Sequence, residues 1–311
     1  MEVKKVYPPD FDKVYELLKR FENTSLQIED FKKLFTVYWP CSVNHCGFMI
    51  EDKGKVIAYL GVLFSDRVID GKPYVFGNLT TMIIDPAFRG QKLTHRLVQH
   101  LRDSGEYVLT AITPIPALYN MYKQSGFRDL NDFRKILWRL GTYTKAGNYT
   151  EEPGAITAAL TGEDARIYGQ HAQFGGIHAL FKSGGEYAHL IFKKRTSHRR
   201  KFLDLRLLNY ADRALRALGL KGFLYQPMEI YELLYSSNWP LTAEHLKPIM
   251  QSFLSLHQCA GVGVPVWFWD KFSPKWFPAS AYYHSRQMVY ANNLPDEVID
   301  VLYSEIFVLD L

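Results

Sequence analysis

The sequence predicts an α/β (α+β) fold: a mixed sheet flanked by helices, with a second α+β lobe after it. Three observations carry this expectation. Apolar runs of strand length alternate with helical stripes up to about residue 140, and a similar alternation resumes after residue 156. Between them, "GTYTKAGNYTEEPGAI" at 141–156 is rich in Gly, Thr and charge and lacks apolar periodicity. Of the 311 residues, 47% are hydrophobic and 15% aromatic, enough to fill two cores and too apolar for extended disorder. The expected organisation is a first domain at 1–141, a linker at 142–156 and a second lobe at 157–311.

Within the first domain, Phe11, Val14, Leu17, Leu18 and Phe21 fall at helical spacing behind Asp10, an N-cap candidate after Pro8-Pro9. A second helix is expected at 28–38. Three strands follow, "CGFMIED", "KVIAYLGVLFSDRVI" and "KPYVFGNLTTMIID", separated by the turn signals "DKGK" and "DGK", so an antiparallel meander is expected. Leu93, Leu97, Val98 and Leu101 then form one stripe of a helix that Gly105 ends. "EYVLTAIT" reads as a strand, "PALYNMYKQSG" as a helix, and "FRDLNDFRKILWRL" as a strand pair or one bent strand.

In the second lobe, strands are expected at "IHALFKSG", "EYAHLIFKKR", "FLDLRLLNY", "KGFLYQP" and "GVPVWFWDK", and helices at "ADRALRALG" and "TAEHLKPIMQSFLSLHQ". The halves share element order and no sequence repeat.

Charge and cysteine content narrow the function classes. A formal charge of +5 is mild for this length and admits an anionic ligand without implying nucleic acid. Three cysteines, Cys41, Cys46 and Cys259, are too few for a disulfide framework and suit a reducing compartment. No apolar run reaches the roughly 20 residues a membrane helix needs, and the N-terminus lacks a signal-peptide core, so a cytoplasmic protein is expected. Cys41, His45 and Cys46 lack a second Cys/His pair, and no metal is expected.

Two local signatures resemble a known family. After a strand ending in Asp85-Pro86 come Arg89, Gly90, Gln91, Lys92, Leu93 and Thr94, and about thirty residues later Tyr122 precedes Gly126-Phe127. Order and spacing resemble the GNAT acyltransferase superfamily, whose members move an acyl group from coenzyme A to an amine. The resemblance covers about the first 140 residues; the second half looks like a degenerate further lobe, as in tandem members.

The resemblance implies a GNAT-like sheet and an acyl-CoA site, with acetyl-CoA or another acyl-CoA as co-substrate. The pantetheine arm would pair with the main chain of Met82, Ile83 and Ile84, where their strand leaves the next one. The pyrophosphate would meet Arg89, Gly90, Gln91, Lys92, Leu93 and Thr94 at the positive end of the following helix. Lys92 and Thr94 stand where the family has glycine and glycine or alanine; a Cβ there restricts φ, while an ammonium and a hydroxyl add phosphate contacts. Tyr122 is the implied proton donor to the leaving thiolate, set against the reading of a helix aromatic packed in the core. No carboxylate occurs on "YVFGNLTTM"; Asn78, Thr80 and Thr81 could only hold a water, His45 and His95 are bases by type only, and without a dedicated base the amine would lose its proton to solvent through a water chain.

The function implied is N-acylation, most simply acetyl transfer to a primary amine of a small molecule or amino sugar, with the second lobe helping to shape the acceptor site. The alternatives are a longer-chain acyltransferase using acyl-CoA or acyl carrier protein, and a non-catalytic binding or sensing module on the same fold. Three further features have bland readings. "KKRTSHRRK" at 193–201 is expected as a solvated hairpin, "RALGLK" as a helix end at Gly219, and the aromatic-rich 264–286 as either core or a sugar-facing surface.

Overall fold

The computed structural model describes residues 1–21, 26–130, 133–198, 206–219, 226–274, 282–284 and 288–309. The chain forms two compact units, one of Met1–Asn131 with Arg286–Leu311 and one of Asp132–Ser285. The division therefore falls near 131 and again near 285, in place of the linker expected at 142–156.

The first unit contains β1 (Val3–Val6), α1 (Phe11–Leu18), α2 (Ile28–Lys33), β2 (Gly47–Asp52), β3 (Lys55–Ile69), β4 (Lys72–Ile84), α3 (Leu93–Ser104), β5 (Val108–Ala111), α4 (Pro116–Gln124), β6 (Arg128–Leu130) and, from the far end of the sequence, β14 (Met288–Ala291). Its sheet runs β1-β2-β3-β4-β5-β14-β6. The meander β2-β3-β4 is antiparallel as expected, β4 and β5 are parallel, and β14 is antiparallel to both β5 and β6. The predicted stripe of α3 is the buried one: Leu93, Leu97, Val98 and Leu101 pack on Leu60, Val62 and Leu109 of the sheet. Gly105 ends the helix at φ 67°, a left-handed angle that glycine adopts without a Cβ clash.

Among the described residues, the C-terminal segment is held to this unit from Met288 to Val308. Arg128 donates to the Tyr290 hydroxyl (2.6 Å) and the Asn292 carbonyl (2.7 Å), and Tyr290 donates to Asp296 (2.6 Å). The buried Arg67 guanidinium lies over the rings of Phe76 (4.2 Å) and Tyr303 (4.7 Å) and pairs with Asp300 at 2.8 Å. Val301 to Val308 are all buried.

The second unit contains β7 (Phe133–Trp138), β8 (Tyr149–Thr150), α5 (Pro153–Ala159), α6 (Gly162–His171), β9 (Gly176–Ser183), β10 (Glu186–His198), β11 (Pro227–Ser236), β12 (Gly261–Pro265) and β13 (Tyr282–His284), with further helices at Arg206–Ala217, Trp239–Glu244, Leu246–Leu256 and Val266–Phe272. Its sheet runs β8-β9-β10-β11-β12-β7-β13, the same pattern as the first. In each sheet the strand beside the fifth comes from outside the local run of sequence. That explains why "FRDLNDFRKILWRL" is neither a hairpin nor a bent strand: β6 pairs with β14, and β7 pairs with β12 and β13. Phe192, stacked on Phe253 with ring centroids 4.1 Å apart, sits in this unit's core.

Other expectations change here. The linker contains β8 and the start of α5, because Tyr149, 1% exposed, anchors it in the second core. Residues 206–210 of the expected strand "FLDLRLLNY" are helical, and 202–205 lie outside the described residues, as do 221–225 of "KGFLYQP". "GVPVWFWDK" stops being a strand at Pro265, which N-caps the helix Val266–Phe272, whose Phe268 packs against Trp239. Of the basic run, 193–198 lie on β10 with Lys193 buried, in place of the solvated turn expected, and 199–201 lie outside the described residues. Gly219 ends its helix at φ 73°, as expected.

Two outcomes follow from this architecture. A chain cut after residue 141 lacks β14 and the clamped segment behind it, and should not show the cooperative thermal unfolding by circular dichroism that the full chain shows; an equally cooperative transition would contradict the sheet order. In the second unit, His178 and His189 stack with Nδ1 and Nε2 3.0 Å apart, and burial, then neighbouring imidazoles, lower their pKa values from 6.5 to about 3 and about 4. The unfolded chain binds protons near pH 6.5 and the folded one does not, so the stability from keeping these rings neutral is full above that pH and is lost as pH falls towards 4. The melting temperature should drop between pH 7 and 5, and His178→Phe should flatten part of the drop; an unchanged profile would overturn the assignment.

Candidate functional site

Strand β4 carries one residue more than its partner requires. Leu60 faces Met82 and Val62 faces Leu79, so Thr80 and Thr81 together oppose Gly61. Such a bulge bends the strand and increases its twist. On its other side β4 pairs with β5 only from Phe76 to Asn78. Beyond Asn78 the ladder to β5 is open, and Met82, Ile83 and Ile84 pair with β3 alone. The three residues assigned to the pantetheine arm therefore lie on this diverging stretch, Ile83 buried and its two neighbours half-buried.

The strand then enters a tight turn. Buried Asp85 accepts from the Ala87 N–H (3.1 Å) and from Lys55 (2.6 Å), fixing the start of a short 3-10 turn over Pro86–Phe88. Arg89, Gly90, Gln91 and Lys92 are exposed, Thr94 is half-buried, and Leu93 points into the core. Gly90 has φ 85° and Lys92 φ 58°. Lys92 thus adopts the left-handed conformation that glycine favours, at a cost of about 1 kcal/mol for a side-chain-bearing residue.

Lys92 is the N-cap of α3 and no side chain caps this helix. The first backbone bond of the helix runs from Arg96 N to Lys92 O, so the N–H groups of Leu93, Thr94 and His95 have no partner within it. Positive dipole and free donors coincide on an exposed turn, and an open groove lined by Lys92, His95, Arg96, Gln99 and His100 runs from it along α3.

Tyr122 sits in the last turn of α4, 1% exposed. The Phe127 N–H bonds to its carbonyl (3.0 Å), the Gly126 N–H bonds to Lys123 O (3.1 Å), and Gly126 has φ 86°. This is a Schellman cap, and the Tyr122–Phe127 ring contact at 5.1 Å is its hydrophobic clasp. The Tyr-x-x-x-Gly-Phe spacing thus has a helix-capping reason of its own. Burial, and then the nearby Glu305 carboxylate, raise the phenol's pKa well above 10, so it stays protonated at any neutral pH.

No local sequence signal marks Glu305. It is 3% exposed, on the short helix Glu305–Val308, 227 positions from the strand residue it touches. Asn78 Nδ2 donates to Oε2 in a short hydrogen bond, and Thr113 Oγ1 donates to Oε1 at 2.5 Å. Asn78 in turn accepts from Thr110 Oγ1 at 3.1 Å. These residues mark where β4 and β5 part, so a carboxylate stands at the fork where only a water-holding amide was expected.

The remaining candidates separate from this place. His45 is buried among the rings of Tyr7, Phe48 and Phe64, and burial lowers its pKa to about 4, which leaves it neutral and walled in. His95 is on the half-exposed face of α3. Cys41 bonds to Asp66 and Cys46 to the Val6 carbonyl, and among the described residues no three His, Cys, Asp or Glu side chains are placed to hold a metal. The second unit has a matching bulge, with Leu234 extra on β11, but its following helix is short and capped by its own Asn238, which accepts from Leu241 N at 3.0 Å. The helix that follows the second unit's bulged strand is thus closed by a side-chain cap, where α3 is not.

Residues 11–127 match the model of the acetyltransferase (GNAT) family. A search of curated protein sequences finds no match. Among solved structures, an Enterococcus faecalis protein, by its name a probable N-acyltransferase, superposes with a TM-score of 0.53 at 12% identity over 93% of this chain and 72% of its own. A GCN5-related N-acetyltransferase from Anabaena variabilis gives 0.51 at 12% identity with the same coverage of both chains. These likenesses establish the fold across both units, and with the family match residues 11–127 are identified as an acetyltransferase domain of the GNAT family.

Proposed function

We propose that the protein transfers an acyl group, most simply acetyl, from acyl-coenzyme A to a primary amine by direct attack in a ternary complex. The observation that carries this reading is the conjunction of a bulged, diverging β4 with an uncapped helix start at its end. A pantetheine arm extends like a strand and can take up the open ladder at Met82–Ile84. A pyrophosphate 's two negative charges suit the N–H groups of Leu93, Thr94 and His95, with Lys92 as a point charge beside them.

In this reading Tyr122 donates to the sulfur as charge builds on it. Its buried phenol is a neutral donor that needs no reorganisation at the moment the C–S bond breaks. The acceptor is a small molecule or amino sugar.

Calorimetry with acetyl-CoA, and with butyryl- and octanoyl-CoA as a chain-length series, tests the first step; no heat at millimolar ligand would refute it. Release of free thiol from acetyl-CoA, measured with glucosamine, spermidine and butylamine as acceptors, tests the second. Tyr122→Phe should lower turnover at least tenfold while leaving the dissociation constant for acetyl-CoA within twofold. Lys92→Gly should hold or raise stability, by up to about 1 kcal/mol, because glycine relieves the left-handed strain, while cofactor binding loses only the contribution of one ammonium. Lys92→Glu should abolish binding; indifference of binding to both changes would mean that the turn does not touch the cofactor.

A further inference from the structure

The geometry points to Glu305 as the carboxylate that receives the acceptor amine and takes its proton; this rests on the acyl-CoA reading above. Three observations converge on it. The side chain is buried at the fork of β4 and β5, where a thioester lying along Met82–Ile84 would end. Both oxygens are aimed by hydroxyl and amide donors, Thr113 and Asn78, the second of which is itself held by Thr110. And its charge, after burial, is one of the two causes that raise the Tyr122 phenol's pKa, so the two groups are electrostatic neighbours.

The position of Glu305 is enforced from outside the site. Asp300 on Arg67, Tyr303 on Trp39 and Arg67, and the Ser304 hydroxyl bonded to Val301 O (2.6 Å) fix the chain on the N-terminal side of the short helix. A carboxylate taken this deep loses several kcal/mol of hydration. Folding alone would be served as well by glutamine, which offers the same shape and an oxygen acceptor.

The chemistry balances with these groups. A primary ammonium entering the fork gives one proton to Glu305, and the freed lone pair forms a C–N bond with the thioester carbonyl carbon. When the C–S bond breaks, its electron pair stays on sulfur, which takes the phenolic proton of Tyr122. Tyr122 recovers a proton from the second N–H that the nitrogen sheds, and Glu305 loses its own to solvent. A general base so placed contributes roughly 10²- to 10⁴-fold. The acceptor class that fits is a cationic primary amine, because an alcohol or thiol would gain nothing from an ion pair with the carboxylate before attack.

The test is Glu305→Gln in the full chain, assayed by thiol release from acetyl-CoA with whichever of the three amines the parent acetylates. The expected result is a loss of at least 10²-fold in kcat/KM for the amine at pH 7, with acetyl-CoA affinity within twofold. The rate of the variant should then climb with pH towards the pKa of the amine, where free base is supplied by solvent. Parent-like turnover and a parent-like pH profile would overturn the assignment. If the Gln variant does not fold, Thr113→Val keeps the carboxylate and removes one donor; it should move the acidic limb of the pH–rate profile to higher pH, and an unmoved limb would overturn the assignment. A parent protein that binds acetyl-CoA but acetylates no amine counts against the acceptor class, whereas one that binds no acetyl-CoA overturns the underlying reading and this inference with it.

Discussion

One extra residue in β4 sets the geometry of the first unit. With Thr80 and Thr81 both facing Gly61, the strand is bent away from β5 after Asn78, and the backbone of Met82–Ile84 is left without its second ladder. Gly61 is the natural opposite number, since a Cβ there would stand 3.1 Å from the Tyr59 hydroxyl. The proposed site depends on this departure: a cofactor arm would find an open ladder at Met82–Ile84, the turn at 89–92 follows the end of the bent strand, and Glu305 bonds to Asn78 at the fork. The second unit repeats the bulge at Leu234 and closes the helix that follows, so the same backbone device persists there without the same opening.

The other organising feature is that neither sheet is built from one run of sequence. Strand β14 stands between β5 and β6, and β7 stands between β12 and β13. In the first unit the incoming strand brings a clamped segment with it, and the clamp is electrostatic as well as apolar: a guanidinium between two aromatic faces with a carboxylate at its end. Glu305 is therefore held by contacts that lie apart from the fork, which lets the fork itself stay polar.

The local grammar was legible in the sequence. The α3 stripe, its glycine stop, the β2–β4 meander and the Tyr122-Gly126-Phe127 cap all rest on interactions within a few residues, and periodicity or a single glycine reports them. The parts that were not legible depend on distance along the chain. Strand β7 looks like a partner for β6 because the two are adjacent in sequence, and nothing in "MVYA" says that it will intervene. Glu305 sits in "SEIFV", which reads as an ordinary acidic start to a helix; its meaning comes only from Asn78 and Thr113. Lys92 misled in a subtler way. A lysine at this position predicts ordinary backbone angles, but conformation is set by the turn as a whole, and Lys92 adopts the left-handed region.

The placement of β14 also bears on how the protein is made. About 160 residues separate β6 from β14, so at ordinary elongation rates of roughly 5–20 residues per second the first sheet waits on the order of ten to thirty seconds for its missing strand. During that time the facing edges of β5 and β6 stand unpaired on the ribosome, while the whole second unit is synthesised and can fold. Such edges are templates for pairing with the wrong chain. Closure of the first sheet is therefore tied to the synthesis of residues 288–291, long after its other strands are made.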